Sequence, residues 1–134
     1  MRIERDCFEL GEVADEWGIS DAEIRYLVAN GTLKLSVRLV AQRARLSSME
    51  ETQEGEPMWV PFEERVFNGL ADLSLRDAFL LVRDGEAVVR DVFLPDRIRL
   101  SLRGGDGLLL SHADTLVRRE HFDVVERNVL KQGG

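Results

Sequence analysis

The strongest constraint on the fold lies between residues 10 and 31, where signals that start and stop helices follow one another closely. A first apolar stripe recurs at helical spacing, formed by Leu10, Val13, Ala14 and Trp17. Gly18 is placed to end that helix. Ser20 to Glu23 form a capping box, in which the serine hydroxyl accepts from the Glu23 amide while the glutamate reaches back. The second helix then runs to about Asn30, before Gly31. The spacing therefore predicts two short helices joined by a tight turn.

Length and composition narrow the class of protein. The 134 residues fit one small domain, and an apolar fraction of 44% is sufficient for a real core. The longest apolar runs are too short to span a bilayer. Cys7 is the single cysteine, and with two histidines it cannot supply a Cys-rich zinc site. We therefore expect a cytoplasmic protein with no membrane association, metal or cofactor.

Charge is unevenly distributed along the chain, whose formal net charge is −7. Residues 1–31 contain three arginines against eight acidic residues, a balance of −5. Residues 32–49 carry +4, and residues 50–56 carry −4. Such blocks indicate a polarised surface, although a solvated face explains most charge runs equally well.

The hydrophobic period changes from helical to alternating at Leu33. Residues 33–41 predict a half-buried strand, and residues 47–56 predict an exposed polar loop. Met58 to Phe62 predict a second strand, with Pro61 favouring an edge position. Because only the loop separates these two segments, we expect them to form an antiparallel pair.

A second unit is predicted beyond residue 62. Ser74 is placed to cap a helix that ends at Gly85 and buries a stripe of Leu75, Ala78, Phe79 and Val82. Strand patterns follow at 87–94 and 98–102, and the Gly-rich residues 104–107 indicate a hairpin. Residues 108–110 and 115–117 could continue the sheet, and residues 119–130 predict a final helix. The fold class is α+β, with a helix pair and hairpin at 1–62 and a small α+β unit at 63–134. The two units could also form one compact domain.

The order of residues from Phe8 to Leu33 resembles the first two helices of the MerR and excisionase-like winged helix-turn-helix proteins. Their theme is an aromatic residue or leucine, then E-x-A, G-[IV]-S, I-R-x-L and a closing x-G-x-L. The matching residues here are Phe8, Leu10, Glu12, Ala14, Gly18-Ile19-Ser20, Ile24-Arg25, Leu27, Gly31 and Leu33. A β-hairpin wing follows the second helix in that family, and Leu33 to Phe62 could form one. The second helix departs from the DNA-binding members, because it sets one base, Arg25, against Asp21 and Glu23.

The first functional interpretation is a bacterial regulator of transcription or of a mobile element that binds double-stranded DNA without enzymatic activity. Strong nonspecific binding needs about 6–10 phosphate contacts, so a homodimer would help. On a regular strand Lys34 and Arg38 share a face, whereas Arg43 and Arg45 have the opposite parity and need a bulge to re-aim them. The candidate DNA-binding residues are Arg25, Lys34, Arg38, Arg43 and Arg45. Alternatively, the strand bases are solubilising charges that pair across the hairpin with Glu50, Glu51, Glu54 or Glu56.

The second interpretation is a protein-interaction adaptor that keeps the helix pair without binding DNA. Its candidate contact residues are Tyr26 and Trp59, because exposed aromatic side chains anchor interfaces. The acidic helix pair is also compatible with a mimic of nucleic acid. An enzyme is not expected, since His112 and His121 have no spacing that implies a catalytic pair, and adjacent acids such as Glu63 and Glu64 splay apart.

Overall fold

The computed structural model describes residues 5–103 and 107–130, and the side chains within that range up to residue 128. Over these ranges the chain forms four α-helices and a large antiparallel six-stranded sheet, with a separate two-stranded sheet. The mixed α+β class predicted from the sequence is therefore confirmed. Among the described residues, no helix has the length and apolar character needed to cross a membrane.

The first two helices begin and end where the cap signals place them. Helix α1 spans Leu10–Trp17, and Gly18 ends it with φ of 64°. Helix α2 spans Asp21–Ala29, and its capping box is formed, with the Glu23 amide donating to Ser20 Oγ at 3.2 Å. The buried side of α2 is Ile24 and Val28, and this helix packs mainly against α3 (Leu75–Asp84).

The six-stranded sheet collects strands from both halves of the sequence. Its order is β1 (Cys7–Glu9), β8 (Leu116–Arg118), β2 (Ser36–Glu51), β3 (Pro57–Asp72), β5 (Asp91–Leu94) and β6 (Ile98–Leu102). Strand β6 also pairs with β2, at residues 44–48. Strands β2, β3, β5 and β6 therefore form a closed circuit, whose inner side holds Leu46, Val92 and Leu100.

The β2–β3 pair is longer than the sequence patterns predict. The polar loop or hairpin tip predicted at residues 47–56 is too long, because β2 continues to Glu51 and only residues 52–56 form the tip. The predicted strand at 58–62 is the first part of a strand that runs to Asp72, so the predicted unit boundary after Phe62 falls within β3. Long-range pairing overrides local polarity here, since each strand supplies the ladder partners of the other. Leu33 and Leu35 are buried ahead of the strand.

Helix α3 is capped as predicted but buries a different stripe. The Asp77 amide donates to Ser74 Oγ at 3.1 Å, and Gly85 ends the helix with φ of 84°. Leu81 replaces the predicted Leu75 and Phe79, both of which are exposed. Helix α3 contacts both α2 and β4 (Glu86–Val89), and the stripe buried in these contacts is rotated around the helix relative to the predicted one. The last helix, α4 (Arg119–Val125), is shorter than predicted and continues as a π-helical turn over Glu126–Leu130.

The Gly-rich segment does not join two strands of one hairpin. Residues 104–106 lie outside the described ranges, and the strands on either side belong to different sheets. Strand β7 (Leu108–Ser111) pairs with β4 instead of β6, so the predicted hairpin is wrong. Gly107 has φ of 102°, and a Cβ there would lie 2.8 Å from Val88 Cγ1. Position 107, directly before β7, therefore requires glycine on steric grounds.

Candidate nucleic-acid interface

The outer parts of β2 and β3 form a ribbon that carries most of the exposed side chains of the sheet. We define the ribbon as residues 42–51 of β2 and 57–67 of β3, and the body as the helices with the remaining strands. From Pro57 to Leu70 no residue of β3 is buried. Strand β6 covers the outer edge of β2 at residues 44–48. Among the described residues, β5 forms a backbone pair with β3 at Asp72 alone, so the outer edge of β3 is unpaired along the ribbon.

A bulge at the base of the ribbon changes which way its arginines point. Leu39 pairs with Gly69 and Gln42 pairs with Phe67, so Val40 and Ala41 together face the single residue Asn68. Ala41 adopts φ of 50°, and its amide donates to Asn68 Oδ1 at 2.7 Å. The extra residue shifts the alternation by one position, as bulges do. Arg43 and Arg45 therefore share the outward face of Arg38, and Ala44 and Leu46 are buried on the opposite face of the strand.

Two arginines converge on one glutamate on this outward face. Glu64 accepts from Arg45 Nη2 at 3.2 Å and from Arg103 Nη2 at 2.5 Å. These two guanidinium groups lower the pKa of Glu64 below its ordinary value, and the hydrogen bond from Arg103 has the larger effect. The Arg103 amide also donates to the Arg43 carbonyl oxygen at 2.9 Å, which fixes the end of β6 beside the ribbon. The cluster borders a shallow hollow of about 420 Å³ lined by Arg43, Ala44, Glu64, Arg65, Val66 and Arg103.

The hollow carries a positive balance. Arg43, Arg65 and Arg103 line it with Glu64 as the one acidic lining residue. Arg43 and Arg65 are exposed, and neither makes an ion pair within the described part of the chain. Guanidinium groups with exposed donors bind phosphate or carboxylate oxygens in a bidentate manner. The arrangement can therefore hold an anionic group at the surface, where water still screens it.

The other predicted DNA-binding residues lie away from this cluster. Arg38 pairs with Asp6 at 3.1 Å, which lowers the pKa of Asp6. Lys34 is exposed after α2, and its backbone amide donates to His121 Nε2 at 2.8 Å. Arg25 is exposed on α2, beside Asp21 in the lining of a different hollow. The predicted pairing of the strand bases with Glu50, Glu51, Glu54 or Glu56 is not found: within the described residues, Arg38 pairs with Asp6 and Arg45 pairs with Glu64.

The two predicted protein-contact residues have different surroundings. Tyr26 is 68% exposed on α2. Trp59 is half-buried on the ribbon, where Arg99 lies over its ring at 4.9 Å and Phe93 packs at 6.1 Å. Trp59 therefore stabilises the contact of the ribbon with β5 and β6, whereas Tyr26 remains available to a partner.

Arg103 and Glu64 are the site residues that the sequence patterns missed. Arg103 lies 39 positions from Glu64, and only the closed circuit of strands brings them together. Arg99 and Arg103 lie within and directly after β6, but a local pattern does not indicate which strand lies beside them.

Comparison with family models, curated proteins and solved structures found no match for this chain. Within residues 5–103 and 107–130, no three His, Cys, Asp or Glu side chains come together in a group that could hold a metal ion.

Proposed function

We propose that this chain is a non-enzymatic, helix-turn-helix-type regulator that binds double-stranded DNA through the basic face of its ribbon. The proposal treats α1 and α2 as the helix pair and the ribbon as the wing that follows it. The observation that carries it is the bulge at Val40 and Ala41, which brings Arg43 and Arg45 onto one outward face beside Arg103. A ribbon that carries guanidinium groups on one face can follow a phosphate backbone.

The charge on α2 decides which part of the helix pair contacts DNA. The exposed residues of the first turn include Asp21 and Glu23, and Arg25 is the single base of the helix. Carboxylates on a helix repel the polyanion, so the proposal does not place α2 deep in the major groove. The ribbon supplies the affinity and α2 lies at the edge of the contact. Binding is expected to be weak for one chain, since three arginines fall short of the contacts of a strong binder.

A salt titration with a random-sequence duplex tests the proposal. Three phosphate contacts give a slope of log K against log salt of about −3. Arg43→Gln is expected to reduce the steepness of that slope by about one. Arg76→Gln is the matched control, because Arg76 is exposed on α3, away from the ribbon. Equal slopes for the two variants, or no binding at the lowest salt, would contradict DNA binding by the ribbon.

A second candidate is the protein-interaction adaptor, which the exposure of Tyr26 on an acidic helix favours. An aromatic ring among carboxylates fits a basic surface on a partner protein. In that case Tyr26→Ser would abolish capture of a partner from the native host, while Phe79→Ser, a matched exposed aromatic on α3, would not. Binding of duplex DNA that depends on Arg43 would favour the regulator over this candidate.

A further inference from the structure

The unpaired edge of β3 presents a short segment whose charges and apolar side chains complement themselves. The segment is Phe62 to Val66, and we call it the edge segment. Phe62 and Val66 are each 53% exposed, and Glu63 and Arg65 make no ion pair among the described residues. The register shift between Leu46 and Ser47 leaves Phe62 without a partner on β2. An unpaired strand with exposed apolar side chains is a template for another strand.

We infer that the edge segment pairs antiparallel with the same segment of a second copy of this chain, with Glu64 on the two-fold axis. Directly opposite residues in a sheet point to the same side, so the axis must pass through a residue position and not between two. Registers centred on Glu63 or Arg65 would set unpaired like charges against each other. The register centred on Glu64 places Glu63 opposite Arg65 of the partner, twice, and Phe62 opposite Val66, twice.

The two arginines already bound to Glu64 allow the two copies of this carboxylate to lie opposite each other on the axis. Arg45 and Arg103 neutralise each Glu64, so the two central carboxylates do not meet as bare like charges. Pro61 sets the limit of the pairing, because it has no N–H to donate and would stand opposite Phe67 of the partner. The interface is therefore isologous, five residues long on each side. It would also place both arginine clusters on one face, although the inference depends on the edge alone and not on DNA binding.

Charge exchange within the edge segment tests the register. Glu63→Arg and Arg65→Glu, made singly, would each set like charges opposite one another and weaken dimerisation at least about tenfold. The double variant restores both pairs in the register centred on Glu64 and is expected to recover the dimer. Sedimentation velocity of the full chain over a range of concentrations measures these changes without DNA. A wild-type chain that stays monomeric throughout, or a double variant that does not recover, would overturn the proposal.

Disulfide trapping provides an independent readout of the axis. In a Cys7→Ser background, Glu64→Cys would place two thiols at a directly opposed position, with Cα atoms about 4.5–5.5 Å apart and within disulfide reach. Glu63→Cys is the matched control, because its two copies would be offset along the strands beyond about 7 Å. Efficient cross-linking of the first and little of the second is expected. Equal or absent cross-linking, with circular dichroism confirming that both variants fold, would contradict the register.

Discussion

Strands β2 and β3 pair with each other at both ends, but the two ends of the pair have opposite surroundings. At the body end, Ser36, Val37, Leu39 and Ala71 are buried beneath the helices and β8. Along the ribbon, most side chains of β3 are exposed and β6 covers only the β2 side. One continuous ladder therefore connects a region with apolar burial on both strands to a region where β2 is buried at Ala44 and Leu46 while β3 is not buried. The β3 side of the ribbon can therefore change its surface without loss of the fold.

The largest expected difference comes from removal of apolar volume at the two places. Leu100 is fully buried opposite Leu46 and Val92, so Leu100→Ala is expected to cost about 3 kcal/mol of the free energy of unfolding. Val66→Ala removes an exposed side chain of the ribbon and is expected to cost less than about 1 kcal/mol. Urea unfolding followed by circular dichroism measures both. Similar losses of unfolding free energy in the two variants would mean that the β3 side of the ribbon is also tightly packed.

The second contrast is between two carboxylates, each bound by arginine. Asp72 accepts from Ser36 Oγ and from Arg118 Nε, both at 2.6 Å, and the side chains of Asp72 and Arg118 are 35% and 22% exposed. Asp72→Ala is expected to cost about 2 kcal/mol, because it leaves a partly buried guanidinium short of an acceptor. Glu64, with its side chain 61% exposed, is the matched residue on the ribbon. Glu64→Ala is expected to cost less than about 1 kcal/mol in the same unfolding measurement, and a larger loss than for Asp72 would reverse the comparison.

The smallest expected effect is a pH dependence that belongs to the body. His121 Nε2 accepts from the Lys34 amide, and burial followed by the charge of Lys34 lowers the pKa of His121 from 6.5, with Asp72 and the Thr32 backbone opposing. The unfolded chain then binds the proton more readily, so stability is fully present above about pH 6.5 and is lost as the pH falls through the folded pKa.

Unfolding midpoints in urea at pH 7.5 and pH 5.5 measure this dependence. The ribbon carboxylate with a lowered pKa, Glu64, titrates below its ordinary 4.5 and contributes little over this interval. His121→Gln keeps an acceptor that does not titrate, and it is expected to flatten the dependence. An unchanged slope in that variant would assign the effect to another group.

The parts of the fold that were predictable are those specified by neighbouring residues. Ser20 with Glu23, Ser74, Gly18 and Gly85 fix helix ends through contacts within a few positions, and each lies where the sequence places it. The length of β2 and β3 depends on pairing between residues as distant as Ser36 and Asp72. A polar stretch such as 47–51 can then be a strand, because its backbone finds a partner that the local pattern does not reveal.

The candidate site was predictable only in part, for the same reason. Arg43 and Arg45 are visible in the charge pattern, and the need to re-aim them follows from strand parity. The bulge that does so depends on Asn68, and the third arginine, Arg103, directly follows β6. The acid that holds Arg45 is Glu64 on the partner strand and not one of the acids near the turn. The register of the strands decides which carboxylate pairs with which guanidinium group. The sequence alone does not specify that register.

The extra residue at the base of the ribbon has a consequence for how relatives of this chain could vary in length. Because Val40 and Ala41 together face Asn68, loss of Ala41 would leave Val40 opposite Asn68 and Gln42 opposite Phe67. Arg43 and Arg45 would keep the outward face, and Ala44 and Leu46 would stay buried. A one-residue deletion at the bulge therefore preserves the arginine face, whereas a regular ladder that retained Ala41 would exchange the sides of every side chain beyond it.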